Sequence, residues 1–186
     1  MPKRRGSAAG RIVRRFFVPR FVVTLYHLAR NRTKISPRAE VEFSHRVQLG
    51  PRCTVGSFTK IKAARGVLRT GRRCLFANGC FVSAEAGGIE MGDHVMCGPN
   101  VTIVSGSYGY GRLDVPFMDQ EPTTKGVRIG SNVWIGAGTV ILDGSQLGDN
   151  TIVVANSLVN RRFAPNTVLQ GNPARVILKR QAPQTD

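Results

Sequence analysis

From about residue 40 onward, branched aliphatic side chains return at every sixth position. The clearest run is Ile129, Ile135, Ile141, Leu147, Val153 and Val159, unbroken over six repeats. Four positions after each of the first five stand Val133, Thr139, Ser145, Thr151 and Ser157, all small or β-branched. Gly130, Gly136 and Gly148 directly follow their aliphatic residues. The same frame runs earlier through Leu49, Val55, Ile61 and Val67, with Gly50 and Gly56 behind two of them. After phase shifts it continues as Thr70, Phe76, Val82 and then Met91, Cys97, Ile103. A helix, with its period of 3.6, cannot keep one residue in six on one face, and a plain strand alternates every two. A coil of three short strands separated by tight corners does need a repeat of six. Each aliphatic plugs the interior, glycine or Asn/Asp allows the corner, and coils stack at roughly 4.8 Å like neighbouring strands. The pattern therefore predicts an all-β fold, a parallel β-helix.

The frame also places the cysteines. Cys53, Cys74 and Cys80 fall on the plus-four position and Cys97 on the aliphatic one, so all four are expected inside as reduced thiols. They form no CxxC pair, and the three histidines, His27, His45 and His94, are scattered. Neither a metal site nor a disulfide is expected from such spacing. The register breaks once, between Ile103 and Ile129, a gap of 26 residues filled by "SGSYGYGRLDVPFMDQEPTTKG". A long excursion from a regular solenoid is costly to order, which favours a site-forming loop, about residues 105–127, over an ordinary insertion.

Ahead of the repeat the pattern changes. Residues 11–30, "RIVRRFFVPRFVVTLYHLAR", mix apolar and basic side chains, and Pro19 should break any helix into two short ones. Pro19 and Arg20 interrupt the apolar run well short of the ~18–20 residues that span a bilayer, and no clean small-x-small cleavage site follows. The net charge of +16 is uneven: residues 1–38 hold 11 Lys/Arg and no acid, while the other 148 carry 16 basic and 11 acidic side chains. Two readings of the arm stand side by side. It lies on an anionic membrane surface, or its apolar face packs on the main domain and its arginines are merely solvated. Phosphate-seeking charge would suit nucleic acid as well, but the chain shows no recognised nucleic-acid module. The expected organisation is a basic arm (1–39), a β-helix domain (40–180) and a tail (181–186), in a cytoplasmic protein that the first of these two readings places peripherally on the inner face of the membrane.

With "MGDHVMCGPNVTIV" (91–104), "VRIGSNVWIGAGTVIL" (127–142) and "APNTVLQGNPARVI" (164–177), the chain resembles the hexapeptide-repeat acyltransferases, nearest to the maltose, galactoside and polysaccharide O-acetyltransferases. The resemblance covers roughly residues 40–180. It implies a left-handed coil, an exception to the usual right-handed crossover, and a homotrimer with active sites between subunits. It also implies acetyl-CoA or another acyl-CoA as donor, a sugar or glycolipid acceptor in polysaccharide synthesis, and no metal. On the donor side it implies Trp134 beside the thioester, Ala137 and Ala155 along the pantetheine arm, Asn160 and Arg161 near the nucleotide, and Arg175 with Lys179 at the phosphates. Val154 and Asn156 stand where glycines are usual.

In those enzymes an imidazole a few residues after "GPNVT" takes the acceptor's proton. Here that place is held by Tyr108, within Ser105-Gly106-Ser107-Tyr108, and residues 95–186 contain no histidine. A phenol with a pKa near 10 is a poor base at neutral pH. Asn78 is the candidate for a helping asparagine, and His94 is the histidine nearest in sequence, expected on an exposed corner. Two functions follow as expectations: O-acyl transfer to a sugar hydroxyl, with N-acyl transfer to an amino sugar as its variant, or a catalytically inactive binding or structural subunit. A γ-type carbonic anhydrase shares the architecture but needs three zinc-binding histidines that this chain does not supply in the usual places.

Overall fold

The structure, a computed structural model, describes residues 19–181. Three parallel sheets form the faces of a triangular prism. Face 1 begins with Lys34–Ile35, Thr54–Val55, Leu75–Phe76 and Met96–Cys97. It continues through Trp134–Ile135, Ile152–Val153 and Thr167–Gly171, and closes with an antiparallel strand, Ala174–Lys179. Face 2 runs from Glu40–Val41 to Leu158–Val159, and face 3 from Val47–Gln48 to Arg162–Phe163, with six strands each. The chain visits faces 1, 2 and 3 in turn, and its fold is the left-handed parallel β-helix. The first coil opens at Lys34–Ile35, a few residues ahead of the boundary read from the sequence.

The interior follows the hexad. Ile129, Ile135, Ile141, Leu147, Val153 and Val159 are all buried, as are Val133, Thr139, Ser145, Thr151 and Ser157 between them. The small polar side chains survive inside because each reaches a carbonyl: Ser145 Oγ donates to Val159 O at 3.0 Å, and Ser157 Oγ to Val154 O at 2.7 Å. The four cysteines are free and buried. Cys74 and Cys80 use the same device, donating to Gly92 O at 3.2 Å and Gly98 O at 3.3 Å. Burial pushes the Cys80 and Cys97 thiols up, and contact with the Cys53 thiol together with burial does the same to Cys74. Cys74, Cys80 and Cys97 are inert core thiols, whereas the hydrogen bond with Cys74 holds the Cys53 thiol below its ordinary value.

One position of the frame is corrected. Val67 was expected inside, but it is exposed and Leu68 is fully buried in its place. Stacked residues on face 1 lie 21 apart from Thr54 to Leu75 and from Leu75 to Met96, but 18 apart from Trp134 to Ile152. The three extra residues of the early coils sit at the edge between faces 2 and 3, between strands Lys60–Lys62 and Leu68–Thr70. The fourth coil, Met96 to Trp134, spans 38 residues and puts its long excursion, 105–126, at this same edge.

Pro19, itself in an extended conformation, is the N-cap of the first described helix, α1 (Arg20–Asn31). The other helix expected from residues 11–30 lies outside the described residues. On α1, Val23 and His27 are buried against the first coils, one turn apart. Phe21, Val22, Leu25 and Leu28, on the other side, are exposed. Arg32 closes the helix in the left-handed conformation, its N–H on Leu28 O.

Candidate functional site

The prism has three edges, and their corners are finished differently. At the edge between faces 3 and 1, outward backbone N–H groups are met by a side chain from the coil above until Asp149, which lies under Pro165 and has no acceptor among the described residues. Arg72 N–H donates to Asp93 Oδ1 (2.9 Å), Asp93 N–H to Ser131 Oγ (3.1 Å), and Ser131 N–H to Asp149 Oδ1 (2.6 Å). Beside this column Asn132 donates to Asn150 (2.7 Å) and Asn150 to Asn166 (2.9 Å), all three with positive φ. His94 sits in this column, half-buried at φ 59, its N–H on Arg72 O.

The edge between faces 1 and 2 starts the same way and then stops. Ser57 N–H donates to Asn78 Oδ1 at 2.9 Å. In the coils above, strand register brings Pro99, Ala137 and Ala155 over Asn78. None of these can cap anything. Under Pro99, Ala155 and Gly171 respectively, the N–H groups of Asn78, Ala137 and Ala155 have no acceptor among the described residues, and all three residues are exposed. Gly136 lets the coils close here: a Cβ on it would stand 2.4 Å from Ala155 N. Gly171 stacks above Ala155, at the turn that leads to exposed Arg175. These bare donors, with Arg175 just past the turn above them, make a strip suited to carbonyl and phosphate oxygens.

The edge between faces 2 and 3 carries the long loop. Its base is pinned: Lys125 N–H and Gly126 N–H donate to the two oxygens of Asp143 at 2.9 and 2.7 Å. Ser105 is buried, its Oγ accepting from Glu85 N–H at 2.9 Å. Inside the loop, Ser107 and Thr123 pair as an antiparallel bridge. Buried Gln120 staples the outer turn by donating to Arg112 O (2.7 Å) and Val115 O (2.8 Å). The ordered loop then presents Tyr108, Tyr110, Leu113, Phe117 and Met118 to solvent. Gln120 and Asp143 escaped the sequence reading. The visible signal for Asp143 was an Asp-Gly corner directly after Ile141-Leu142.

The candidate residues thus divide among the edges. Tyr108 stands at the 2–3 edge, Asn78 at the 1–2 edge and His94 at the 3–1 edge, so one chain by itself does not gather them. Ala137, Ala155 and Arg175 share the 1–2 edge. Trp134 is on face 1, half-exposed between Met96 and Ile152. Lys179 pairs with Thr167 at the far end of the last hairpin from Arg175. Asn160 is exposed at the 2–3 edge, and Arg161 beside it donates to Ala174 O at 3.1 Å and stacks 5.3 Å from the Phe163 ring centre.

Residues 126–161 match the family described as Bacterial transferase hexapeptide (six repeats). The chain is similar to galactoside O-acetyltransferase of Escherichia coli (strain K12), 39% identical over 90 residues, covering 48% of this chain and 43% of that one. It is also similar to galactoside O-acetyltransferase of Lactococcus lactis subsp. lactis (strain IL1403), 35% identical over 55% of this chain and 48% of that one. Its fold matches AntD, an N-acyltransferase from Bacillus cereus in complex with dTDP and 3-hydroxybutyryl-CoA, at a TM-score of 0.72 and 19% identity over 81% of both chains. A maltose O-acetyltransferase from Clostridium difficile 630 matches at a TM-score of 0.53 and 27% identity, over 81% of this chain and 67% of that one. Residues 126–161 thus carry the hexapeptide repeat of that family, within a fold that these acyltransferases share.

This hexapeptide-repeat protein spans about half the length of the curated relatives it matches. Its outward faces are unequal. Face 3 carries Gln48, Arg69, Glu90, Arg128, Gln146 and Arg162 in one column, with Arg128 and Glu90 paired at 3.1 Å. Face 1 instead carries Leu75, Met96, Trp134, Ile152 and Val168 in one column. Among the described residues no group of three His, Cys, Asp or Glu side chains is arranged to hold a metal ion.

Proposed function

We propose that the protein is an acyltransferase that takes its acyl group from an acyl-CoA, acetyl-CoA first, and delivers it to a hydroxyl of a sugar or glycolipid acceptor. The observation that carries this reading is the pair of uncapped N–H groups on Ala137 and Ala155, with Arg175 just past the turn above them. Pantetheine amide carbonyls along that strip would accept from the two donors, and the guanidinium would meet a CoA phosphate. Relatives that are acetyltransferases by name, and a matching fold solved with an acyl-CoA, support the choice of donor.

The chemistry needs few parts. The acceptor oxygen adds to the thioester carbon, the carbonyl oxygen takes up negative charge, and the C–S bond breaks. The released thiolate takes the proton that the acceptor gives up. A donor to the oxyanion and a group that orients the acceptor are the protein's contributions. Tyr108 can supply a hydrogen bond to the acceptor but little basicity. A homotrimer completes the proposal: the apolar column of face 1 and the apolar loop tip would be covered by neighbouring copies. A second copy could also bring its loop to the first copy's 1–2 edge.

A second reading is favoured by one feature, the absence of any histidine after His94. An amino-sugar acceptor presented as the neutral amine attacks a thioester with less help from a base. The N-acyltransferase of the same fold makes this variant worth an equal assay.

Calorimetric titration of acetyl-CoA tests the donor site. Saturable binding is expected, lost in Arg175→Ala and in Ala155→Asn, where the new amide would cap Ala137 N–H as Asn78 caps Ser57. Turnover is then read as free thiol released with sugar and amino-sugar acceptors in parallel. No binding at saturating donor would overturn the acyltransferase reading and leave a non-catalytic member of the fold.

A further inference from the structure

The N-terminal end of the prism has features that acyl transfer does not use. Helix α1 is fastened by Val23 and His27, yet its opposite side leaves Phe21 61%, Leu25 58%, Leu28 44% and Val22 38% exposed. At a helical step of 100°, these four fall within one sector of the helix. Large apolar side chains grouped this way and left in water mark a contact surface.

The surroundings say what kind of contact. Residues 1–73 carry 19 Lys/Arg and 2 Asp/Glu, whereas residues 74–186 carry 8 and 9. Among the described residues, part of this excess lies close to α1. Arg32 caps the helix, Arg52 bonds the coil below it through Asn31 O, and Arg73 follows through Pro51 O, so the three make a column up one edge. All three are exposed, and none pairs with a carboxylate among the described residues. On the flank of α1 a groove of about 700 Å³ is lined by Arg30, Arg69 and His45 together with Tyr26 and Phe43. Within it the Nδ1 of His27 is buried without a partner. No described helix is long and apolar enough to cross a membrane. A short apolar helix face framed by arginines is suited to lying in a lipid interface instead.

We propose that this end of the prism docks on an anionic phospholipid surface. The α1 side chains Phe21, Val22, Leu25 and Leu28 enter the boundary between headgroups and acyl chains, and Arg30, Arg32, Arg52 and Arg73 meet lipid phosphates. The opposite end, near-neutral and carrying the loop, then faces away from the bilayer. The proposal does not depend on the acyltransferase reading, since it rests on a different end of the molecule.

Co-sedimentation of the full chain with phosphatidylcholine–phosphatidylglycerol vesicles, against phosphatidylcholine alone, tests it. Binding is expected to the mixed vesicles only, to fall at least about tenfold in the Phe21→Ser/Leu25→Ser variant, and to weaken with added salt. Both positions are exposed, so the variant should fold, which an unchanged circular dichroism spectrum checks. Failure of the wild type to bind either vesicle would overturn the proposal. So would binding that the helix variant leaves intact while DNA displaces it, because the contact would then be charge alone. Sedimentation equilibrium without lipid separates the remaining occupant: a smaller assembly in the variant, with no vesicle binding by the wild type, would assign the helix face to a second copy.

Discussion

The two ends of the prism are built on the same repeat and differ in what they leave uncovered. Residues 19–73, with the helix and first coils, hold 13 Lys/Arg against 2 Asp/Glu, while residues 74–181 hold 8 of each. Both ends bury the same kind of interior, Val55 and Ile61 in one, Ile135 and Ile141 in the other. The modest basic excess of the body therefore belongs wholly to its first coils. The contrast teaches that the hexad specifies an inside and is silent about the outside. The surface departs from the repeat in two places: an apolar helix and arginines without a carboxylate partner among the described residues at one end, bare corner donors and a stapled loop at the other.

The largest expected effect breaks what the ends share. Ile135→Ala removes a fully buried side chain from the middle of the stack. It should cost about 2–5 kcal/mol, read as a lowered midpoint in urea. If the two ends unfold independently, α1 should keep its hydrogen-exchange protection in this variant; loss of protection everywhere would make them one cooperative unit.

Next in size is the loop base. Asp143→Ala strips two backbone N–H groups of their carboxylate and should cost about 1–3 kcal/mol. Faster amide exchange is expected at Lys125 and Gly126 and through the loop, with α1 unaffected. Equal change at both ends would contradict the separation drawn here.

A smaller effect belongs to α1. His27 has its pKa lowered by burial first and then by Arg30. Its neutral form is the one the fold accepts, so the stability it contributes is present above the ordinary value of about 6.5 and is lost as pH falls below that value. Acid should loosen α1 before the coils, seen as exchange at Val23 and His27. His27→Leu should abolish that pH dependence. Arg30, Tyr26, Arg69 and His45 line the same groove, and His45→Gln controls for the second imidazole. The smallest change is expected at the exposed Lys60–Glu40 pair, 3.3 Å apart. Lys60→Ala should cost under about 1 kcal/mol and less in salt.

Much of the fold was legible because the hexad is a local rule. Cys53, Cys74, Cys80 and Cys97 could be placed inside from position alone, and all four are there. The frame slipped at Val67, where extra residues at the 2–3 edge move the inward position to Leu68 with no change in composition to announce them. The loop could be bounded as a break in period, but its staple could not: Gln120 is one polar residue among many until Arg112 and Val115 are folded around it. The arm offered two readings, and the helix in fact divides its sides, Val23 and His27 on the domain and Phe21 and Leu25 in solvent.

What the sequence determined by itself is the interior, because each inward side chain is chosen by its own place in a six-residue count. What only the tertiary structure decided is the surface chemistry of the edges. Whether Ser57 N–H is capped and Ala137 N–H is bare depends on which residue lies one coil above, 21 positions on in the first case and 18 in the second. Those offsets change with each excursion, so the partners of a corner are set by how the coils stack and cannot be counted along the chain.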